Sequence, residues 1–213
     1  MVGAAPEPDR NCPLCPRLVE FRAEQRAAHP DWFNAPVPTF GDEAARLAIV
    51  GLAPGLKGAN RTGRPFTGDF AGVLLYETLH EFGFATGSYA ERPDDGLKLR
   101  DAVIINAVRC VPPANKPLPA EIRTCNRFLR GRLTGNRTYR AILALGRIAH
   151  DAVLIATDER RGKFPFAHGA RHSLSGVALF DSYHCSRYNT NTGVLTPDMF
   201  RAVFAAIAIE LRL

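Results

Sequence analysis

Four continuous apolar runs constrain the fold of this chain more than any other feature. They occupy residues 47–52, 102–108, 141–146 and 177–183. Continuous rather than alternating apolar residues are typical of strands that are covered on both faces. Helical periodicity separates and follows the runs, at residues 70–84, 120–133, 147–156 and 197–211. The pattern predicts an α/β fold of three layers, α/β/α, around a central four-stranded, mainly parallel sheet.

The whole chain, residues 1–213, is predicted to form one domain around this sheet. Residues 1–11, rich in Pro and Ala, are predicted to be a flexible tail, and a short amphipathic helix is predicted over 16–28. Loops are predicted at 86–99, 111–119 and 157–173. A chain of 213 residues, 46% of them hydrophobic, has enough apolar side chains for one full core.

Composition indicates the class of protein and of partner. No apolar run approaches the roughly 20 residues that span a bilayer, and the N-terminus lacks a signal-peptide core. We therefore expect a soluble, cytoplasmic protein without membrane contact. Lys and Arg outnumber Asp and Glu by 27 to 21, and most of the excess is Arg in loops. This favours a phosphate-rich partner, although a solvated basic face is at least as common.

The glycine-rich loop after the first apolar run fits neither common nucleotide-binding motif. A P-loop requires glycine where Leu56 stands, and Lys57 is followed by Gly58 rather than by Ser or Thr. The dinucleotide fingerprint fails because Leu52 and Ala53 follow Gly51. The loop is nevertheless built for close approach of its backbone to a ligand.

Polar residues follow the predicted strands at their carboxyl ends. These are the loop over 51–69, Asn106, Gly146 and the run over 184–190. Ligands of parallel α/β sheets bind outside the carboxyl ends of the strands. The sequence therefore predicts one site at this edge of the sheet.

The spacing of the cysteines indicates a four-thiolate site. Cys12 and Cys15 form a C-x2-C pair, Cys110 and Cys125 are separated by fourteen residues, and Cys185 stands apart. An odd count in a reducing compartment argues against a disulfide framework. Spacing alone suits zinc as well as an iron-sulfur cluster.

Three ordered motifs in this chain resemble the family 5 uracil-DNA glycosylases, the type B branch. They are GLAPG-x-x-GANRTGRPFTGD after the first strand, IINAVRCVPP at the second and SYHCSRYNTNTG after the fourth. With the four spaced cysteines, the resemblance extends from Cys12 to Thr196. It implies a uracil-DNA glycosylase-like fold and a monomeric repair enzyme of the prokaryotic nucleoid. Its partner would be DNA containing uracil or other deaminated bases, and its reaction hydrolysis of the N-glycosidic bond.

The reaction needs a carboxylate, and the resemblance points to Asp69. An oxocarbenium-like sugar and a departing base anion must be stabilised while a water is held on the opposite face. Asp69 is the carboxylate of the 49–69 stretch and would stabilise the sugar or orient the water. The alternative is helix N-capping, because Asp69 directly precedes a predicted helix. Many relatives have an acidic or amide residue where this chain has Leu52, which leaves more of the catalytic role to Asp69.

Three further residues would hold the flipped base. Asn106 interrupts an apolar strand and would present a donor and an acceptor to the uracil edge; alternatively its amide bonds to neighbouring backbone. His184 would donate to uracil O2, although a lone His is more often structural. Phe66 would be the stacking platform, although a Phe is usually a core residue.

The resemblance assigns binding roles to more residues of the loops. Close backbone approach to the substrate is expected from Gly51, Leu52, Ala53, Pro54 and Gly55. Contacts to DNA phosphates are expected from Ser186 and Asn189, and either Arg187 or Tyr188 would fill the gap left by the flipped base. No lysine has a visible partner that would activate it for a Schiff base, which favours a monofunctional hydrolase.

The resemblance also implies a cofactor. Cys12, Cys15, Cys110 and Cys125 match the family's ligands for a 4Fe-4S cluster, with zinc as the alternative, and Cys185 is not expected to be a ligand. The cluster would be structural, since hydrolysis needs no redox step. Two other functions stay open at this point: a catalytically silent, metal-stapled protein that binds damaged DNA, and a cluster-bearing redox sensor.

Overall fold

The computed structural model describes residues 7–136 and 138–212, and it has an α/β architecture. The strands are β1 (Phe40–Gly41), β2 (Leu47–Gly51), β3 (Ala85–Thr86), β4 (Lys98–Leu99), β5 (Ala102–Asn106), β6 (Ala141–Leu145), β7 (Arg171–Leu174) and β8 (Val177–Ser182). The α-helices are α1 (Pro16–Ala28), α2 (Ala59–Thr62), α3 (Phe70–Glu81), α4 (Pro119–Gly135), α5 (Arg147–Ala156), α6 (Arg187–Asn191) and α7 (Pro197–Leu211). Short 3₁₀ turns lie at Pro113–Asn115 and Arg161–Lys163.

The central sheet contains six strands in the order β1-β5-β2-β6-β8-β7. The inner four are parallel to one another, whereas β1 and β7 are antiparallel edge strands. The predicted α/β class and the parallel centre are therefore confirmed, but the predicted count of four strands is two too low. β1 is only two residues long, and β7 alternates exposed with covered positions in a basic segment, so neither forms an apolar run.

Each inner strand is apolar throughout because both faces of the sheet are covered by helices. In β2, Leu47 and Ile49 face one cluster, which contains the buried side chains of α3 and α7. Ala48 and Val50 face the other, which contains those of α4 and α5. The alternation of one strand between two apolar layers is the physical reason for the continuous runs.

The element boundaries differ from the predictions mainly at the ends of strands and helices. The bounds predicted for α1, α5 and α7 agree with the structure, whereas α3 ends at Glu81 because Gly83, with φ of +76°, stops the helix. Of the predicted tail, residues 1–6 lie outside the described residues. Glu7 forms ion pairs with Arg109 and Arg132, so the chain is held from that residue onward. None of the helices described is long and apolar enough to cross a membrane.

The topology opens a crevice at the carboxyl end of β2. The chain passes from β2 to β5 on one side and then crosses back to β6 on the other. The strand order reverses at this point, where parallel α/β sheets bind their ligands. The parallel register also pairs Gly51 with Asn106, the last residues of β2 and β5.

Candidate active site

A cavity of about 430 Å³ lies in this crevice and is referred to below as the central cavity. The segments after β2, β5 and β8 supply its walls. The residues that line it are Leu52, Ala53, Pro54, Gly55, Ala59, Phe66, Asp69, Phe70, Ala71, Asn106, Asn115, His184, Ser186 and Arg187. Residues from three distant parts of the chain therefore meet at one place, as the sequence predicted.

Asp69 packs its carboxyl group against two glycines of the loop after β2. A Cβ atom on Gly58 would lie 2.0 Å from Asp69 Cγ, and one on Gly55 would lie 2.6 Å from Oδ1, so a side chain at either position would displace the carboxyl group. Asp69 is the N-cap residue of α3, but its side chain makes no capping hydrogen bond. Burial raises the pKa of Asp69, while the Ala59 backbone amide and the Arg61 charge oppose that shift.

Phe66 presents its ring to the central cavity from a left-handed backbone conformation, with φ of +54°. Its ring centroid lies 5.8 Å from that of His184, with 27° between the two planes. A Cβ atom on Gly51 would lie 2.9 Å from the Phe66 ring, which explains the glycine at the end of β2. The ring is mostly buried, and its accessible part faces the cavity.

Asn106 places an amide with no protein partner beside this ring. Within residues 7–136 and 138–212, its side chain forms no hydrogen bond, and only 3% of the residue is exposed. Its Oδ1 would lie 2.8 Å from a Cβ atom on Gly51. The amide faces the cavity, where the polar groups of a ligand could pair with it. The geometry thus favours a ligand-facing amide over one bonded to neighbouring backbone.

His184 follows β8 and places its imidazole opposite Asn106 and Phe66 in the lining. Burial lowers the pKa of His184 to about 4, so the ring is neutral at pH 7 and retains one N–H donor. Its backbone carbonyl accepts a 2.8 Å hydrogen bond from Asn189 Nδ2. No group within the described part of the chain forms a hydrogen bond with the imidazole itself.

The turn after His184 leads into α6 at the mouth of the cavity. The Ser186 hydroxyl oxygen caps α6 by accepting from the Asn189 backbone N–H at 3.3 Å. The Arg187 guanidinium lies 5.1 Å from the centroid of the Phe70 ring, and Tyr188 is 74% exposed. Arg187 and Phe70 therefore form one rim of the opening, and Tyr188 projects from the surface next to it.

The structure separates the predicted site residues into two groups. Ten of them line the cavity: Leu52, Ala53, Pro54, Gly55, Phe66, Asp69, Asn106, His184, Ser186 and Arg187. The other three do not line it: Gly51 packs against Phe66 and Asn106, Asn189 supports the His184 turn, and Tyr188 is exposed on the surface. Four lining residues were missed by the sequence reasoning, namely Ala59, Phe70, Ala71 and Asn115. Asn115 could have been found as a polar residue in the proline-rich loop after β5. Small or apolar residues such as Ala59 carry no sequence signal that marks them as lining a site.

The four spaced cysteines also come together, in a second cavity away from the first. Cys12, Cys15, Cys110 and Cys125 line it, and none forms a disulfide. Arg22 Nη1 donates to the Cys110 sulfur at 3.6 Å, and the Arg109 backbone N–H donates to that of Cys125 at 3.3 Å. Cys185 is fully buried elsewhere, where its thiol donates to the Ala71 carbonyl. The site joins α1 to the segment after β5 and to α4.

A separate polar cluster, not predicted from the sequence, lies under the β7 edge of the sheet. Asp181 accepts from His150 Nδ1 at 2.7 Å and from His172 Nε2 at 3.2 Å, while His150 Nε2 faces the Phe164 carbonyl at 2.9 Å. We call His150, His172 and Asp181 the His150 cluster. Burial lowers the pKa of His150, but the hydrogen bond and charge of Asp181 outweigh burial and leave that pKa raised. Both nitrogens of His150 already face acceptors, so this is a hydrogen-bonded network rather than an open metal site.

Comparison with known proteins agrees with this geometry. The family described as Uracil DNA glycosylase superfamily matches residues 38–208. The chain is 48% identical over 199 residues to the type-5 uracil-DNA glycosylase of Thermus thermophilus, covering 90% of each chain. It is 39% identical to the type-5 uracil-DNA glycosylase of Pyrobaculum aerophilum, covering 94% of this chain and 89% of that one. It is also 34% identical to the type-4 uracil-DNA glycosylase of the same organism, covering 82% of this chain and 78% of that one.

Proposed function

Because the chain belongs to the uracil DNA glycosylase superfamily, and within it to the type-5 enzymes, we propose that it excises uracil from DNA by hydrolysing the N-glycosidic bond. One structural observation supports the proposal independently of the sequence similarity. Asp69 of the loop after β2, Asn106 at the end of β5 and His184 after β8 line the central cavity together. Within the described residues, the side chains of Asn106 and His184 have no hydrogen-bonding partner. Such groups are left for a substrate to satisfy.

Asp69 supplies the negative charge that the reaction requires. As the N-glycosidic bond breaks, positive charge develops on the sugar, and a nearby carboxylate stabilises it. Burial raises the pKa of Asp69, which makes its carboxylate a better acceptor for a proton from the attacking water. Gly55 and Gly58 leave the space that this carboxyl group occupies, because a side chain at either position would displace it.

His184 and Asn106 bind the base. The neutral imidazole of His184 donates its N–H to uracil O2, where negative charge accumulates as the base departs. A neutral donor that is held in place before the reaction needs little reorganisation in the transition state. The Asn106 amide offers one donor and one acceptor to the Watson-Crick edge, and Phe66 stacks on the face of the base.

The rim of the cavity contacts the DNA strand. Ser186 retains a hydroxyl hydrogen to donate to a phosphate while its oxygen caps α6. Asn189 reaches phosphate only by giving up its bond to the His184 carbonyl, so its contribution is chiefly to hold that turn. Tyr188, which is exposed beside the opening, is better placed than Arg187 to fill the gap left by the flipped base, because Arg187 packs on Phe70.

The reaction is hydrolysis by water rather than lyase chemistry. None of the four lysines, Lys57, Lys98, Lys116 and Lys163, is among the residues that line the cavity. A Schiff base with the sugar would require a lysine amine within reach. We propose that the enzyme acts as a monomer and that it acts on DNA in the cytoplasm of a prokaryote.

We infer that the four cysteines hold a 4Fe-4S cluster. A tetrahedral zinc would draw its four sulfurs to within about 3.8 Å of one another. Among the described residues, no three of these sulfurs lie within 4.8 Å of one another, which fits a larger group better. Such a cluster would fasten α1 to the segment after β5 and would take no part in hydrolysis. Its expected signature is a brown protein with broad visible absorption, whereas a zinc protein is colourless.

The decisive experiment measures release of uracil from oligonucleotides that contain one uracil, in single-stranded and duplex form. Matched oligonucleotides with thymine control for specificity, and ones with hypoxanthine test other deaminated bases. We expect an alkali-labile abasic site from the uracil substrate and no strand cleavage before alkali treatment. Binding without base release would instead identify a catalytically silent damage-binding protein.

A further inference from the structure

Phe66 holds a backbone conformation that aromatic residues rarely adopt. Its φ of +54° lies in the left-handed region, where a side chain crowds the backbone. Residues in this region persist only when their surroundings over-determine them, and they concentrate at functional sites. The contacts that impose the conformation on Phe66 are therefore of functional interest.

Two tyrosine hydroxyls fix the peptide groups around Phe66. Tyr76, in α3, donates to the Pro65 carbonyl at 2.5 Å, and Tyr89 donates to the Phe66 carbonyl at 3.0 Å. Gly72 makes room for this arrangement, because a Cβ atom there would lie 1.8 Å from the Phe66 carbonyl oxygen and 2.5 Å from the Tyr89 hydroxyl. Burial raises the pKa of Tyr89 to about 12, so its hydroxyl remains a donor.

A buried arginine lies behind the same turn. Arg64 donates to Thr67 Oγ1 at 2.7 Å and so bridges the residues on either side of Phe66. Its guanidinium carbon lies 5.4 Å from the ring centroid of Phe40, 5.7 Å from that of Tyr76 and 5.9 Å from that of Tyr89. Aromatic faces attract a desolvated guanidinium, so the three rings hold Arg64 in place.

Asp95 completes the arrangement from the segment between β3 and β4. Its two oxygens accept from Arg64 Nη1 and Nη2 at 2.8 and 2.7 Å, and its side chain is 1% exposed. The same carboxylate accepts from the backbone amides of Ala90 and Leu97. A segment that does not line the cavity is thereby connected to the turn that carries Phe66. We call Arg64, Tyr76, Tyr89 and Asp95 the Arg64 clamp.

We propose that Tyr89 and Asp95 are positioning residues for base excision, which act by holding the Phe66 ring in the central cavity. The inference rests on the proposed function, in which Phe66 stacks on uracil. With the carbonyl of Phe66 released, the turn relaxes toward negative φ and carries the ring away from Gly51 and His184. Stacking of the ring on the base is then weakened, whereas the contacts to the DNA strand are unchanged.

A double-mutant cycle between Tyr89→Phe and Phe66→Leu tests this inference. Tyr89→Phe keeps an aromatic ring beside Arg64 and removes only the hydroxyl. The measurements are the single-turnover excision rate, the affinity for DNA and the binding of free uracil by NMR. Tyr139→Phe is the matched control, since it removes the hydroxyl of another buried tyrosine that is remote from the cavity.

We expect Tyr89→Phe to lower the single-turnover rate and the affinity for free uracil by about tenfold each, the scale of one hydrogen bond to a buried carbonyl. DNA affinity and the melting temperature should match those of Tyr139→Phe. In the Phe66→Leu background, the same change should cost nothing further, because the ring that it positions is gone. Asp95→Asn should show the same non-additivity with Phe66→Leu.

Three results would overturn the inference. The first is an equal loss from Tyr89→Phe with and without the Phe66 ring, and the second is a loss no greater than that of Tyr139→Phe. The third is a Phe66→Leu variant with wild-type excision and uracil binding, which would remove the stacking role itself. If the wild-type protein releases no uracil from DNA yet binds the free base through the same coupled pair, the proposed function fails and the positioning role stands.

Discussion

The central cavity and the His150 cluster each bring histidine together with aspartate, but they differ in the partners that those side chains have. In the His150 cluster, Asp181 accepts from two imidazoles, and both nitrogens of His150 face acceptors. In the cavity, His184 has no side-chain partner in the described protein, and Asp69 leaves the helix cap unused. Burial acts on both histidines, yet His150 has a raised pKa and His184 a pKa of about 4.

This difference shows how the two regions are used. Where every donor meets an acceptor, burial of polar groups holds the fold together. Where polar side chains line a cavity without protein partners, they remain available to a ligand. Residue types alone do not separate the two cases. Substitutions should therefore damage activity in one region and stability in the other.

The largest effect is expected from Asp69→Asn in the central cavity. Removing the charge while keeping the shape should lower the single-turnover rate of uracil excision by about 10³-fold, because the developing cation loses its stabilising carboxylate. Quench-flow or gel assays on a uracil oligonucleotide measure the rate, and fluorescence anisotropy should show unchanged DNA binding. Asp158→Asn, at the exposed ion pair with Arg130, is the control. An Asp69→Asn enzyme with a tenth of wild-type activity would contradict the role.

The next largest effect is expected from Asp181→Asn in the His150 cluster. It removes one partner of a buried pair and should lower the free energy of unfolding by about 3 kcal/mol. Urea denaturation followed by circular dichroism measures the loss. The excision rate of the protein that remains folded should match that of the wild type. A strong loss of rate with unchanged stability would place the His150 cluster in the catalytic machinery instead.

Asn106→Leu should have the opposite effect to Asp181→Asn, lowering the excision rate without lowering stability. The leucine has nearly the same volume and removes two polar groups without protein partners, so the free energy of unfolding should stay the same or rise. Excision should fall by about 10²-fold because the uracil edge loses its donor and acceptor. Urea denaturation and excision-rate measurements on this variant and the wild type test both expectations. Destabilisation as large as that of Asp181→Asn would show that the amide is structural.

The smallest effects are expected in the pH dependence of stability near neutrality, with opposite signs for the two histidines. The pKa of His150 is raised above 6.5, so its stabilisation is complete below pH 6.5 and is lost as pH rises through the folded value. The pKa of His184 is lowered to about 4, so its contribution is present above pH 6.5 and is lost as pH falls toward 4. Denaturation of His150→Gln and His184→Gln across this range should remove the alkaline and the acid loss, respectively. If stability depended on pH in the same way in both variants, the opposite signs expected for the two histidines would be contradicted.

Much of the fold was predictable because it depends on local, repeated signals. The inner strands stand out since both their faces are buried, and helices such as α4 and α7 follow apolar periodicity with a proline at the start. The edge strands β1 and β7 escaped prediction because a strand with one exposed face and few residues has no continuous apolar run. The short helices α2 and α6 have four and five residues, too few to show an apolar periodicity.

The candidate site was predictable in its members but not in its arrangement. Asp69, Asn106 and His184 were assigned through ordered motifs, and the family membership is confirmed. Nothing in those motifs separates Asn189, which holds the His184 carbonyl, from Ser186, which lines the cavity. Asp95 lies about thirty residues beyond Arg64 in a polar loop, and its pairing with that arginine has no local sequence signal.

The sequence by itself determined the α/β class, the strands that build its centre and the loops that carry the chemistry, because these depend on periodicity and on motif order. Only the tertiary structure decided which polar groups are satisfied. Among the residues that the structure describes, it leaves the side chains of Asn106 and His184 without hydrogen-bonding partners, supplies partners to Asp181 and Asp95, and holds Phe66 at positive φ. Hydrogen-bond partners and desolvation depend on contacts between residues far apart in the chain, and these exist only once the chain has folded.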